Sequence, residues 1–588
     1  MLRRQTRAQR PIPELHLPEL HQIAAWFRRN LDPPSNEYRL TRVVFLRGLG
    51  LVYSVAFLGL AQQLAPLFGE RGLLPAHLYL AHVETVFGEG WPSFSQVPTL
   101  LWLDVGDSFM SILAWAGFCL ALTLLAGSAS GLQLLALWVL YTSFVNIGQL
   151  FYGYGWEMLL LESGFLAVFL CPSFLPGAGK GAQSPPPPKA VIWLLKWTLF
   201  RVVFGAGLIK LRGDPCWRDL TCLIYHYETQ PIPNPLSWYI HQLPPVIHKI
   251  GVLFNHLVEI VAPWFLFGPR RLRLVGGVLL VVFQLLLIAS GNLSWLNYVT
   301  LTLCVPCFDD RAWRWVWARI RRQSRGAEPA EPPAFSRPVH ARPLSNRVAV
   351  SALVALVLYL SVGPVANMLS SRQVMNTSFD RLNLVNTYGA FGSVGKVRRE
   401  VIIQGTTDVK IGDRTQWREY EFKCKPGDPG RRPCVLSPYH LRVDWQIWFA
   451  AMSDYRHQPW LVHLVYKLLL ADPGALSLLG QNPFPGERPT FVRAELYEYE
   501  FTGFDDSSGD WWKRRRIGQY LPAVSAHNPA LLNVLRSFGW PLEDRSGDDG
   551  SGEGESSQTA DPRSATMRQS ATADGRPDLD VCRLCGHS

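Results

Sequence analysis

Val43-Val-Phe-Leu-Arg-Gly-Leu-Gly-Leu-Val-Tyr-Ser-Val-Ala-Phe-Leu-Gly-Leu-Ala-Gln62 decides the class of fold. A helix that crosses a hydrocarbon core needs about 20 mostly apolar residues, and this run has that length with Arg47 as its single charge. Arg42 and Arg47 lie at its start, so the positive-inside rule leaves the N-terminus in the cytosol. The residues before it are basic and broken by prolines, with no continuous apolar core. They do not read as a cleavable signal peptide, and the first membrane helix itself is expected to act as the targeting signal.

Further apolar runs follow at 110–126, 132–150, 157–171, 191–211, 251–268, 274–290, 295–307 and 348–369. The expected fold class is therefore a polytopic α-helical membrane protein of about nine spans with a C-terminal luminal α+β domain. The runs at 157–171 and 295–307 are short enough to be re-entrant or interfacial. Removing adjacent pairs gives seven or five spans and leaves both termini where they are. Alternation puts the Pro-rich stretch through Pro185–Lys189, the Arg270-Arg271-Leu272-Arg273 turn and the Arg-rich segment up to Arg347 on the cytosolic side, which is where basic residues belong.

Four parts are expected on this reading. Residues 1–42 form a basic cytosolic N-terminus, and 43–369 a membrane domain with luminal loops at 61–109 and 212–250. Residues 370–541 form the luminal domain, with strands near 400–404, 417–423 and 490–501 and helices near 441–452 and 460–470. Residues 542–588 are rich in Gly, Ser and Asp with almost no large apolar side chains, too little to order a core, and are expected to be a disordered tail. The chain of 588 residues is 48% hydrophobic and carries a formal charge of +11. Its arginines cluster beside the apolar runs, so the charge reports membrane topology and a lipid bilayer as partner, with no nucleic acid.

Four cysteines fall in predicted luminal segments, Cys216 with Cys222 and Cys424 with Cys434, where an oxidising compartment favours disulfides. Neither pair has the Cys-x-x-Cys spacing of a thiol oxidoreductase. Cys304-Val-Pro-Cys307 has that spacing but lies at the cytosolic end of a weak span, and reads as packing. Cys582-Arg-Leu-Cys585-Gly-His587 offers three zinc-type ligands without a fourth or a scaffold. Hydrolase, zinc-protease, Walker and dinucleotide signatures are missing from the sequence, so no catalytic residue, cofactor or metal is expected. Charged or ionisable residues inside predicted spans are costly and mark either internal pairs or a functional cavity: Glu157, Glu162, Lys196, Arg201, Lys210, His256 and Glu259. An intramembrane enzyme or transporter built on them is the competing class of function, and a luminal thiol oxidoreductase a further one. Two glycosylation sequons occur, Asn292-Leu-Ser294 and Asn376-Thr-Ser378. Asn376 is the better acceptor, because Asn292 falls in a very short turn at the bilayer.

Three stretches resemble the lipase maturation factor family. The first is Gly205-Ala-Gly-Leu-Ile-Lys-Leu-Arg-Gly-Asp214, running into Cys216-Trp-Arg-Asp-Leu-Thr-Cys222 and His226-Tyr-Glu-Thr-Gln-Pro-Ile-Pro-Asn-Pro235. The second is Ser370–Phe379 with Asn386-Thr-Tyr-Gly-Ala-Phe-Gly-Ser393. The third is Tyr420-Glu-Phe-Lys-Cys-Lys-Pro-Gly-Asp428 with Arg431-Arg-Pro-Cys434 and Pro438-Tyr-His440. The resemblance covers about residues 40–541 and implies a membrane protein of the endoplasmic reticulum, not an enzyme. Its luminal domain would assist folding and active assembly of secreted homodimeric lipases such as lipoprotein lipase and hepatic lipase. The tail lies outside the family pattern. Candidate client contacts are Tyr227, Glu228 and Gln230 in the stiff, Pro-rich loop after Cys222, which is expected to hold a surface against either the client or the luminal domain, a rigid spacer being the alternative, and aromatics of the luminal domain, above all Trp511 and Trp512. Trp445, Trp448 and Phe449 are weighed as core packing, and the run Lys513-Arg514-Arg515-Arg516 as a solvated strand or a patch for an acidic client.

Overall fold

A computed structural model describes residues 38–176, 186–325 and 344–542. The basic N-terminus and the tail with Cys582, Cys585 and His587 lie outside the described residues. Within them, nine apolar helices run alternately between the two ends of one bundle. They are α1 (Arg39–Phe68), α2 (Asp107–Ala126), α3 (Gly131–Ile147), α4 (Gly155–Val168), α5 (Lys189–Arg212), α6 (Pro245–Phe265), α7 (Arg270–Ser290), α8 (Leu296–Cys307) and, beyond an amphipathic α9 (Asp310–Arg325), α10 (Leu344–Leu369). At one end Asp310 accepts the backbone N–H groups of Arg39, Leu40 and Thr41, the Gly131 N–H bonds Ser173, and Arg270 pairs with Asp309. At the other end Gln63, Phe151 and Asn292 bond the C-terminal domain.

Six of these helices are long and apolar enough to cross a membrane: α1, α2, α5, α6, α7 and α10. Helices α3, α4 and α8 are shorter, and the runs of α4 and α8 are the two that the sequence marks as short. The α3 helix has 17 residues and α4 has 14; at 1.5 Å per residue α4 is roughly 21 Å long, less than the hydrocarbon thickness. Most of α4 is buried against its neighbours, including both of its carboxylates. It therefore needs neither the length nor the lipid-facing surface of a free-standing span. In α6 a π-helical turn at Leu257–Val261 precedes Pro263, whose missing N–H interrupts the ladder there.

The C-terminal domain is α+β. Its main sheet has the order β2-β1-β5-β6, from β1 (Arg398–Thr406), β2 (Arg418–Glu419), β5 (Phe491–Phe501) and β6 (Trp512–Val524), all neighbours antiparallel. Strands β3 (Glu421–Phe422) and β4 (Leu479–Gln481) form a small second sheet. Eight of the nine residues of β1 are buried, because α11 (Arg442–Ala450) and α12 (Pro459–Leu469) cover one face and a Tyr499, Phe501 and Trp512 cluster covers the other. Trp445 and Trp512 are core residues, while Trp448 and Phe449 are half-buried. Cys216 is bridged to Cys222 and Cys424 to Cys434. Asp444 of α11 accepts the N–H groups of Cys424 and Lys425 at 2.6 and 3.0 Å, which fixes the second bridged loop to the helix.

Candidate functional site: the seam between bundle and C-terminal domain

The charged residues of the bundle are paired, and two of their clusters are completed by the C-terminal domain. Glu157 on α4 accepts Tyr141 O–H and Trp156 Nε1–H at 3.1 Å and forms an ion pair with Arg442 Nη2 at 2.9 Å. Arg442 comes from the first turn of α11. Its guanidinium also bonds the Phe151 carbonyl and lies 3.3 Å from the Tyr152 ring centroid, and its backbone N–H donates to Gln63 Oε1 at 3.1 Å. A guanidinium is suited to this place because it meets a carboxylate, a carbonyl and a ring face at once.

The second cluster lies deeper. Glu162, one turn and more beyond Glu157 on α4, pairs with Arg201 of α5 and accepts Thr198 O–H at 2.8 Å. It also accepts the Asn386 N–H at 3.1 Å and the Tyr388 O–H at 2.8 Å, while Arg201 Nη1 donates to the Asn386 carbonyl at 2.5 Å. Arg201 is roughly 16 Å inside the end of α5 at 1.5 Å per residue, so the segment around Asn386 plugs into the bundle. Its entry requires small residues. A Cβ on Gly205 would stand 2.7 Å from the Tyr388 carbonyl oxygen, and one on Gly213 would stand 2.3 Å from that of Gly392. The Asp214 N–H closes the lane with a 2.9 Å bond to Gly392.

Other charges pair inside the bundle. Lys210 donates to both oxygens of Glu259 at 2.7 and 2.8 Å and to Asn255 at 3.1 Å, under the Trp217 ring. His256 contacts the Trp217 carbonyl, and Lys196 lies over the Tyr38 and Trp193 rings. Cys304 and Cys307 are free, buried and at the opposite end from the C-terminal domain. No group of metal-ligating side chains occurs among the described residues.

The loop after Cys222 is part of the seam. Arg398 of β1 pairs with Glu400 and donates to the carbonyls of Glu228, Gln230 and Pro231 at 2.7, 2.5 and 2.9 Å. Glu228 accepts the Phe501 N–H at 2.8 Å, and burial raises its pKa. Trp448 donates to the Thr229 carbonyl. Gln230 is buried and bonds Tyr227, Ser237 and Ser290, and Trp512 is buried on Phe501. These two positions hold the seam and the sheet and present no surface to a client. Tyr227 and Trp511 are half-buried. Trp511 joins Trp238, Tyr239 and Phe504 in an aromatic group in which Tyr239 and Phe504 are exposed, a patch the sequence did not single out. The run Lys513–Arg516 is neutralised within the domain by Asp506, Glu419, Glu498 and Glu495, which favours the solvated strand over an acidic-client patch. Asn292 is enclosed, bonding Cys434, Leu436 and Ser437, whereas Asn376 is half-buried with its amide oxygen on the Gly389 N–H.

A multi-helix membrane bundle whose buried carboxylates are capped by a C-terminal α+β domain is thus the class of protein defined here. Residues 40–315 match the lipase maturation factor transmembrane domain, and residues 384–522 match the lipase maturation factor C-terminal domain. Lipase maturation factor 1 of Homo sapiens is 46% identical over 530 residues, spanning 86% of this chain and 91% of that protein. Lipase maturation factor 1 of Mus musculus is 44% identical over 528 residues, and lipase maturation factor 2 of Homo sapiens 32% identical over 610. No solved structure matches the chain. The chain belongs to the lipase maturation factor family.

Proposed function

We propose that this protein is a non-enzymatic maturation factor of the endoplasmic reticulum membrane that promotes folding and active assembly of secreted homodimeric lipases, lipoprotein lipase and hepatic lipase among them. The names of its relatives support a lipase-related role, and one observation carries the rest. The C-terminal domain sits at the end of the bundle opposite the start of α1 and the basic turn at Arg270–Arg273. With basic residues held in the cytosol, that arrangement supports a luminal C-terminal domain, on the side where secreted proteins fold. Asn376 is the proposed glycan acceptor. The proposed client-contact surface is Trp511 with its neighbours Tyr239 and Phe504, together with Tyr227, since exposed aromatics bury large area at low entropic cost. Glu228 supports it from beneath. The paired state of Glu157, Glu162, Arg201, Lys210 and Glu259 favours an internal scaffold over an intramembrane enzyme or transporter.

The test is secreted lipase activity in cells lacking this protein, compared at equal lipase synthesis. Activity is expected to fall and to return with the wild-type chain; unchanged activity contradicts the proposal. A glycosylation tag at the exposed Gln481 is expected to be modified, and an unmodified tag contradicts the luminal orientation.

A further inference from the structure

We infer that α9 is a membrane-interface helix, which lays its apolar face on the bilayer surface at the end of the bundle opposite the C-terminal domain and holds anionic lipid headgroups with its arginines. The helix reads Asp310-Arg-Ala-Trp-Arg-Trp-Val-Trp-Ala-Arg-Ile-Arg-Arg-Gln-Ser-Arg325. Trp313, Val316, Trp317 and Ile320 recur at i, i+3, i+4 and i+7, which is one helical face. Arg311, Arg314 and Arg319 lie off that face, and Arg321, Arg322 and Arg325 continue the basic sequence. The bundle covers only the start of the apolar stripe. Trp313 is half-buried against Phe308, but Val316, Trp317 and Ile320 are exposed.

The position of the helix identifies what covers them. Asp310 receives the first three N–H groups of α1 at 3.0, 2.9 and 3.3 Å. Thr41 Oγ1 donates to the Phe308 carbonyl at 2.7 Å, and Asp309 pairs with Arg270 and Arg273 at the start of α7. The helix therefore begins at the level where two membrane-length helices start and α8 ends, which is the boundary of the hydrocarbon. An apolar stripe exposed at that level, with tryptophans and flanked by arginines, has the composition of helices that lie in the interface. Asp310 is the only acidic residue of the helix and is already engaged by α1, so the exposed Arg311, Arg314 and Arg319 face an environment that must supply negative charge. Anionic phospholipid supplies it, the guanidinium groups reaching outward while their stems cover the acyl boundary.

The test uses the full chain in nanodiscs of phosphatidylcholine, with or without phosphatidylserine. Cys119, Cys582 and Cys585 are replaced by Ser, and an environment-sensitive fluorophore is attached through Val316→Cys, Ile320→Cys or Ala318→Cys, one at a time. With brominated acyl chains present, labels at 316 and 320 are expected to be quenched roughly three-fold more than the label at 318, as for an interfacial helix. Phosphatidylserine is expected to raise the quenching, and replacing Arg311, Arg314 and Arg319 by Gln to remove that dependence while the elution profile of the protein stays unchanged. Equal quenching at the three positions overturns the proposal, as does protection of 316 and 320 through cross-linking to a second copy or another protein. Quenching indifferent to phosphatidylserine overturns the assignment of the arginines to anionic headgroups.

Discussion

The two ends of the bundle solve the same problem differently. At the α9 end, buried charge is settled among the helices of the bundle: Asp309 takes Arg270 and Arg273, and Asp310 takes the first N–H groups of α1. At the other end the helices alone would leave Glu157 without its arginine and Glu162 without half its partners, and residues of the C-terminal domain fill both. The C-terminal domain is thus a structural component of the membrane domain and not a tethered module. A buried carboxylate stripped of its partner costs several kcal/mol, so undocking the domain is opposed by more than contact area.

The largest effect is expected at Arg442. Arg442→Met leaves Glu157 buried and uncompensated and should cost on the order of 3–5 kcal/mol, read as a drop in thermal midpoint and faster cleavage between the two parts by protease. Adding Glu157→Gln should recover part of the loss. An unaltered midpoint in Arg442→Met would remove the seam from the energetics. Lys210→Met should destabilise the bundle comparably but leave protease resistance between the parts less affected, because Glu259 is on α6.

Gly205→Val should have a smaller effect, about 1–3 kcal/mol, by forcing the Tyr388 backbone away from α5. The same substitution at Gly518, where a Cβ meets nothing, is the control and should be near neutral at the level of packing.

The smallest effect is that of pH. His440 is enclosed by Tyr154, Trp156, Trp295 and Trp445, and burial, with Arg442 adjacent, holds its pKa well below the usual value. Burial lowers that of His463 to about 4. Groups with depressed histidine pKa values take up protons first in the unfolded state. Their contribution is complete above about pH 6.5 and is lost as pH falls toward the folded values. Asp444 and Glu228, raised by burial, act with the opposite sign. Between about pH 7 and pH 5.5 the thermal midpoint should therefore fall, and His440→Gln with His463→Gln should flatten the dependence.

Much of this was legible in the sequence. Glu157, Glu162, Arg201, Lys210 and Glu259 stand out because a charge in an apolar run must have a partner, and the strands at β1 and β5 follow from alternation and β-prone composition. The partners were not legible. Arg442 begins an ordinary amphipathic helix and Asn386 sits in an irregular segment, and nothing local connects either to a carboxylate so far away in the chain. The shortness of α4 was legible in the run at 157–171, but the neighbours that bury it were not. The polar, Pro-rich loop after Cys222 reads as a surface held against a client or the C-terminal domain, but nothing local shows that the Gln230 amide turns inside to bond Tyr227, Ser237 and Ser290.

The docking of the C-terminal domain into the bundle is tested most directly by amide hydrogen exchange of residues 384–392 in the intact protein, with Glu162→Gln as the comparison. The wild-type chain should protect this segment, with Asn386 held by Glu162, and the variant should lose that protection while the β1 and β5 strands keep theirs. Free exchange of 384–392 in the wild-type chain would contradict the account.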